Sequence, residues 1–222
     1  MANVSAPFGF SQFQGTGSAP TYEIVEVPIL YSAGAIYFGD AVVPDTTTAD
    51  GCVKQALASG SSTVALAGIF VGCKYLSVSQ KRTLWSNYWP GSDVASTNYV
   101  TGYIVNDPNA QFLCQTSNSN TTATAVTVAK VGQLIGLAVG TGNTANGISG
   151  MTADQYTIGT TATLPFILRG IYGGSPSAGI PSIGPPGANG TDVTTATGAY
   201  NYIIVGFNNV LTQGGGARTG IS

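Results

Sequence analysis

The chain contains no histidine, and charged residues of either sign are scarce: 7 Lys and Arg and 9 Asp and Glu among 222 residues, or 7%. Histidine is the usual proton shuttle near neutral pH and the commonest metal ligand. Asp, Glu, Lys and Cys supply most other general acids, bases and nucleophiles. Because all these residue types are rare here, the composition argues against an enzyme, a metal site or a cofactor. It favours a structural or binding role.

The scarcity of charge also bears on the surface of the protein. Ordinary globular proteins carry about 25% charged residues, so Ser, Thr, Asn, Gln and Gly must cover this surface instead. A surface with so little charge repulsion is prone to association, which favours self-assembly or assembly onto a partner over a neutral monomer. The net charge is −2 and no basic patch or tail is present, so we expect no binding to nucleic acid.

Cysteine is limited to Cys52, Cys73 and Cys114. An odd number fits no complete set of internal disulfides, and no CxxC spacing is available for a zinc site. We expect buried or half-buried thiols, none of them in an essential disulfide. The N-terminal residues do not resemble a signal peptide, and no stretch approaches the roughly 20 apolar residues of a membrane helix. We therefore expect synthesis in a reducing cytoplasm and no membrane partner.

Hydrophobic residues are plentiful, at 43%, and they form short runs rich in Val, Ile and Thr between Gly, Pro, Asn and Asp turns. Such runs are typical of β-strands. They cover residues 21–30, 35–44, 52–57, 63–76, 98–116, 125–147, 160–172 and 199–207. Glycines disfavour a helix in the run at 125–147, and no fixed-period repeat of the solenoid or propeller kind is visible. The sequence predicts an all-β fold, either a barrel or a sandwich.

The composition changes along the chain and divides it into five segments. We predict an N-terminal arm (1–20), a β-rich core domain (21–174), a long Pro/Gly loop (175–198), the final β-strand of the core (199–212) and a flexible tail (213–222). The Pro/Gly loop is long for a compact domain, so we expect it to be functional or disordered.

Three phenylalanines of the N-terminal arm are candidates for an interface. Phe8, Phe10 and Phe13 lie among Gly, Ser and Gln residues that cannot make a core of their own. Aromatic residues in such an arm either dock on a neighbouring surface or fold back on their own core. We predict that they anchor on a neighbouring subunit.

A second aromatic group contains both tryptophans of the chain. Trp85, Tyr88 and Trp89 precede Pro90. Such a cluster belongs to the core, to an interface, or to a platform on which a sugar ring stacks. We favour the core or an interface and predict that at least one of the tryptophans is buried.

The remaining motifs are weaker. Asp40, Asp45 and Asp50 do not have the spacing of an EF-hand, so we expect solvated turn residues, with a calcium site of aspartates and loop carbonyls as the alternative. The segment GTGNTANG (140–147) lacks the lysine and the helix of a phosphate-binding loop, which favours a connecting turn. No spacing supports a Ser–Lys nucleophile.

Three segments, in a fixed order, resemble a known group of proteins. They are the GxFxGC-Y segment at Gly68–Tyr75, the W-xx-YWP segment at Trp85–Pro90 and a segment of the Y-x-x-DDP-A-F-x-x-Q type at Tyr103–Gln115. This order resembles small virion proteins encoded beside the major capsid protein in tailed-bacteriophage genomes. The similarity extends over residues 22–172, with a weaker echo at 202–208.

The chain departs from that group at two places. Asn106-Asp107 stands where the group often has two aspartates, and the Pro/Gly loop at 175–192 has no counterpart. The resemblance implies a capsid decoration or cement protein on the exterior of the virion, made in the host cytoplasm. It would bridge subunits of the major capsid protein and form a homo-oligomer, a trimer rather than a dimer. The alternatives are another capsid, tail or fibre component and a β-sandwich carbohydrate-binding or adhesin module.

Overall fold

The computed structural model describes residues 5–14, 24–46, 51–57, 65–96, 98–117, 126–172 and 200–211. Within these ranges the chain is almost entirely β, with one 3-10 turn at Val128–Lys130, which confirms the all-β class. The strands are β1 Ser11–Gln14, β2 Ile24–Ile29, β3 Ala41–Pro44, β4 Val53–Gln55, β5 Gly68–Leu76, β6 Thr83–Ser86, β7 Val100–Val105, β8 Gln111–Ser117, β9 Leu134–Ala138, β10 Thr152–Gly159, β11 Phe166–Ile171 and β12 Tyr202–Phe207. The Pro/Gly loop predicted at 175–198 and the predicted tail at 213–222 lie outside the described residues.

The strands from β2 to β7 form a first closed sheet, barrel 1. Its order is β2-β7-β5-β3-β4, and β4 closes the ring by pairing with β2. The β2–β4 pair is parallel and the other four pairs are antiparallel. Strand β6 lies outside the ring, where it extends the sheet by pairing with the second half of β5.

The strands from β8 to β12 form a second closed sheet, barrel 2. Its order is β8-β12-β11-β9-β10, and β10 closes the ring by pairing in parallel with β8. The N-terminal strand β1 adds to β8 beside the ring. Of the two architectures that the sequence left open, a barrel and a sandwich, the structure shows closed barrels.

The two barrels have the same topology. The five ring strands, counted in chain order, are β2, β3, β4, β5 and β7 in barrel 1 and β8 to β12 in barrel 2. In each barrel the first strand pairs with the third and the fifth, and the second pairs with the third and the fourth. The fourth also pairs with the fifth, and only the first–third pair is parallel. The registers also agree: Val42 lies opposite Gly68 in barrel 1, and Ile135 lies opposite Phe166 in barrel 2. Barrel 2 is therefore a second copy of the barrel 1 architecture.

The same irregularity recurs in both copies. Strand β5 has a bulge between Phe70 and Gly72 where it pairs with β7, and β11 has one between Leu168 and Gly170 where it pairs with β12. A bulge bends a strand and increases its twist, which helps a short sheet to close into a barrel. Because the bulge recurs at equivalent positions, the two barrels share this local irregularity as well as their strand order.

The turn before the second strand is also duplicated. Gly39 and Gly132 have φ angles of +88° and +89°, a backbone region that glycine adopts without a steric penalty. Each glycine donates its N–H to the bulged strand of its own barrel: Gly39 to the Phe70 carbonyl on β5 and Gly132 to the Leu168 carbonyl on β11, both at 2.8 Å. This turn holds the start of the second strand against the bulged strand in each barrel.

The barrels share their hydrophobic packing. Barrel 1 encloses its own cluster, which includes Val42 and Phe70. The outward side chains Ala41 and Ile69 instead belong to the cluster that contains Ile135 and other interior residues of barrel 2. The outer face of barrel 1 therefore packs against barrel 2, and the two barrels form a single unit.

The cysteines are buried in this packing. Cys52, Cys73 and Cys114 are free thiols with at most 1% of their surface exposed, and the prediction of buried thiols is confirmed. Cys73 donates to the carbonyl of Tyr88, with Sγ and O separated by 3.4 Å. Burial raises the pKa of the Cys73 thiol to about 12, so this cysteine packs as a small neutral side chain.

Candidate interaction surface

Trp89 belongs to the core of barrel 1. Its side chain is fully buried and packs edge-to-face on Tyr75, with ring centroids 5.1 Å apart. Its indole Nε1 donates to the carbonyl of Ala33 at 3.3 Å. The prediction that at least one tryptophan is buried is therefore confirmed.

Tyr88 occupies a different environment from either tryptophan. It is half-buried and stacks on Tyr37, with centroids 5.6 Å apart and rings only 3° from parallel. Because Trp89 is inside the barrel and Tyr88 packs on Tyr37, these residues do not form a common exposed platform with Trp85. A sugar-stacking platform at Trp85 would therefore use neither Tyr88 nor Trp89.

Trp85 lies on the outside of barrel 1, with 68% of its surface exposed. It stacks on Tyr103, with centroids 5.6 Å apart and an interplanar angle of 11°. The Nζ of Lys74, which lies opposite Trp85 in the β5–β6 ladder, is 5.0 Å from the centre of the indole ring. The rings of Trp85 and Tyr103 approach each other across β5 at Gly72, which has no side chain to separate them.

Tyr103 is itself held by its surroundings. It lies opposite Glu26 in the β2–β7 ladder. Desolvation of the phenol and the nearby Glu26 carboxylate raise the pKa of Tyr103 above its ordinary value. A hydrogen bond between the Tyr103 hydroxyl and the Glu26 side chain contributes to the same shift.

A groove of about 500 Å³ runs beside this aromatic pair. Its lining is mostly apolar and includes Ile24 and Val71 as well as the two rings, while Ser86 and Asn87 add polar groups. We call it the Trp85 groove. Sequence reasoning singled out Trp85 but missed Tyr103, because only the ladder register places a residue of β7 against one of β6.

More apolar surface extends along the same barrel. Leu76 and Val78 have 53% and 56% of their surfaces exposed. Leu76 is two residues after Lys74 on β5, so both side chains lie on the outward face of the strand, as Trp85 does on β6. Ile24, at the start of β2, is 47% exposed. Several exposed apolar residues on the same barrel as an exposed aromatic pair are typical of a protein–protein or ligand contact surface.

The N-terminal arm packs on its own chain. Phe10 is 1% exposed and stacks on Phe166 with centroids 4.5 Å apart. Phe8 and Phe13 are half-buried and make edge-to-face contacts with two tyrosines of barrel 2, Tyr202 and Tyr172 respectively. This differs from the predicted anchoring on a neighbouring subunit, because barrel 2 offers the arm both aromatic partners and a free edge of β8.

Two of the three aspartates expected to be solvated turn residues are buried, so that expectation was wrong for them. Asp45 is 8% exposed and forms an ion pair with Lys54, Oδ1 to Nζ 2.9 Å. Asp40 is fully buried directly before β3, beside the Gly39 turn. Asp50 lies outside the described residues.

The Asp40 carboxylate is surrounded by donors. It accepts hydrogen bonds from the Tyr37 N–H at 2.7 Å, the Gln55 amide at 2.7 Å and the Ser149 hydroxyl. Burial raises the pKa of Asp40, and these three hydrogen bonds oppose that shift. Since Ser149 comes from barrel 2, the carboxylate ties the two barrels together.

The glycine-rich segment at 140–147 is part of the connection between β9 and β10, as predicted for a turn. It lies against barrel 1, where Asn87 donates to the carbonyl of Asn146 at 2.7 Å. Further along, Phe38 forms a β-bridge with Ile148. The segment thus joins the barrels.

Among the residues that the structure describes, no group of three or more Cys, Asp or Glu side chains could hold a metal ion. No helix in the described ranges is long and apolar enough to cross a membrane. The chain matches none of the family models, curated proteins or solved structures with which it was compared.

Proposed function

We propose that this protein is a virion structural protein that decorates a tailed-bacteriophage capsid. It would lie on the capsid exterior and stabilise the shell by bridging subunits of the major capsid protein. The observation that carries the proposal is the Trp85 groove with its apolar surroundings, on a chain with only 7% charged residues. A rigid aromatic centre on a sheet, with little charge around it, is suited to contact with another protein.

Two features support a protein partner in particular. The groove is lined mainly by apolar side chains, with few polar groups to orient a small polar ligand. The order of the segments at Gly68–Tyr75, Trp85–Pro90 and Tyr103–Gln115 resembles that of capsid-associated phage proteins, and all three segments contribute residues to the groove or to the core beneath it.

The test uses undecorated, expanded capsids of the protein's own virus. Wild-type protein should cosediment with them at a fixed stoichiometry, and Trp85→Ala should weaken the apparent affinity by at least about 10-fold, as expected for an aromatic hot spot. Tyr156→Ala is the matched control, because Tyr156 is similarly exposed, at 64%, but lies on barrel 2. It should bind as wild type does.

Two outcomes would contradict the proposal. Wild-type protein that fails to bind these capsids at concentrations well above micromolar would exclude decoration. Capsid binding that Trp85→Ala leaves unchanged would exclude the groove as the contact. A glycan array on which the wild type binds and Trp85→Ala does not, together with no capsid binding, would instead support the carbohydrate-binding alternative.

A further inference from the structure

The outermost strand of barrel 1, β6, has one paired side and one free side. It pairs with the second half of β5, and it has no other strand neighbour among the described residues. The pairing shows no shift in register, and no proline interrupts Thr83–Ser86. The N–H and C=O groups along such a free edge can pair with a strand from another molecule.

The hydrogen-bond pattern shows which backbone groups face the free side. The Ser77 N–H donates to the carbonyl of Arg82 at 3.0 Å, directly beyond the last pair of the β5–β6 ladder. Bonded and non-bonded pairs alternate along an antiparallel ladder, so the N–H and C=O groups of Thr83 and Trp85 point away from β5. Both residues are exposed, which leaves these four groups accessible to an added strand.

The hairpin that carries this edge is basic, although the whole chain has a net charge of −2. Residues 68–86 contain no Asp or Glu and three basic side chains, those of Lys74, Lys81 and Arg82. All three are exposed, and none forms an ion pair with a described residue. Asp93 contacts the base of the hairpin, where its carboxylate accepts from the Ser77 hydroxyl and the Ser79 N–H.

These charges select the kind of strand that the edge can take. Cations beside an exposed edge disfavour pairing with a second copy of the same edge. They attract a strand with acidic side chains instead, both at Lys74 beside the indole and at the Lys81–Arg82 end of the hairpin. The Trp85 groove adjoins the edge, so an apolar side chain of that strand would contact Trp85.

The chain already uses strand addition on its other barrel. Strand β1, from the N-terminal arm, pairs antiparallel with β8 on the outside of barrel 2. An extended segment is thus held beside a closed ring by backbone pairing, without entering the ring. The free side of β6 offers barrel 1 the same mode of contact.

We propose that the free edge of β6 binds an extended acidic segment of the protein partner by strand addition. Thr83 and Trp85 would each offer one backbone donor and one acceptor to that segment, and the three cations of the hairpin would face its carboxylates. This inference rests on the proposed function, since the segment then belongs to the surface of the major capsid protein. The β6 backbone holds its main chain, and the Trp85 groove holds one of its side chains.

The first test repeats the capsid cosedimentation with Thr83→Pro. Proline lacks the N–H that points to the free side and its ring obstructs an incoming strand, whereas no hydrogen bond to β5 is lost. The apparent dissociation constant should rise by at least about 10-fold. Thr83→Val keeps the N–H and should remain within about 2-fold of the wild type, which separates the backbone contribution from that of the side chain.

The second test concerns the charge of the partner segment. Lys81→Glu should weaken capsid binding by about 10-fold at low salt, and the loss should shrink at high salt. Lys130→Glu is the matched control, because Lys130 is an exposed lysine in the 3-10 turn before β9, on barrel 2. It should bind as the wild type does, and equal losses in the two variants would overturn the acidic partner.

If Thr83→Pro does not fold by circular dichroism, hydrogen exchange of the wild type replaces it. The Thr83 and Trp85 amides should exchange at least about 10-fold more slowly on capsids than in the free protein. Unchanged exchange, or equal capsid binding by the wild type and a folded Thr83→Pro, would overturn strand addition and leave the proposed function standing.

Two further outcomes would also count against the inference. A wild-type chain that does not bind capsids would overturn the proposed function and strand addition together. A dimer of the purified protein that Thr83→Pro dissociates, measured by sedimentation equilibrium, would assign the edge to a second copy and overturn the acidic partner.

Discussion

At the scale of single residues, burial separates side chains that the sequence makes look alike. Trp85 and Trp89 occur in one short aromatic segment, but Trp85 is 68% exposed and Trp89 is fully buried. The difference arises because β6 ends at Ser86, between the two tryptophans. Trp85 faces outward on the strand, whereas Trp89 follows the strand and forms a β-bridge with Ile36. One tryptophan is available to a partner and the other supports the fold.

Replacing Trp89 by alanine should lower the free energy of unfolding by about 3–5 kcal/mol, since it leaves a cavity inside barrel 1. Trp85→Ala removes a mostly exposed ring and should cost less than about 1 kcal/mol. Urea unfolding followed by far-ultraviolet circular dichroism measures both. Similar losses in the two variants would show that Trp85 is also structural and would weaken its use as a binding probe.

Titration of Asp40 should make the free energy of unfolding depend on pH. Burial raises its pKa in the folded protein above the ordinary 3.8. As the pH rises from 3.8 through this raised pKa, the folded state retains a proton that the unfolded state has released. The free energy of unfolding therefore decreases with rising pH over that window.

Asp40→Asn should remove this contribution. The amide oxygen can still accept from the Tyr37 N–H and Gln55, and the new NH₂ can donate to Ser149. Urea unfolding of both proteins between pH 4 and 7 should show the variant gaining stability relative to the wild type as the pH rises. A stability difference that is constant over this range would mean that Asp40 titrates as an ordinary carboxyl.

At the scale of the elements, the Gly39 turn and the bulge at Gly72 shape barrel 1. Gly39 has a positive φ, and a Cβ at this position would lie 3.1 Å from both the Phe10 N and the Phe8 O atoms. The turn therefore positions the start of β3 and also receives the N-terminal arm. This dual contact explains why the arm packs on its own chain.

Gly39→Ala should reduce the free energy of unfolding by at least about 1 kcal/mol, because a residue with a Cβ is strained at this φ and the arm must also move. Gly34→Ala is the control, since a Cβ there meets nothing within 4 Å. It should be neutral or slightly stabilising. Thermal melting of the two variants checks the prediction, and an unchanged melting temperature for Gly39→Ala would contradict it.

Most strands could be predicted from the sequence, whereas β1, β6 and β10 lie outside the predicted runs. The predicted runs correspond to β2, β3, β4, β5, β7, β8, β9, β11 and β12, because β-branched residues favour extended structure. Strand β10 was missed because Asp154 and Gln155 interrupt the apolar pattern. Both are nevertheless buried, which only the contacts of the folded barrels make possible.

At the scale of the whole molecule, the protein is one barrel architecture used twice. The number of residues that separate equivalent positions along the chain differs from strand to strand. Val25 corresponds to Phe112 and Val42 to Ile135, and these two separations are not equal. Few of the equivalent residues are identical, so no fixed period is visible along the chain. The duplication therefore emerges only from the order of the strands and from the registers of their ladders.

The sequence by itself determined the all-β class, the near absence of charge and the burial of the thiols, since these depend on composition and on local alternation. The tertiary structure alone decided that Tyr103 meets Trp85, that Phe10 is buried on barrel 2 and that Asp40 binds Ser149. These pairs are far apart along the chain. Their proximity depends on how each sheet closes and on how the barrels pack, and no local pattern of residues encodes that.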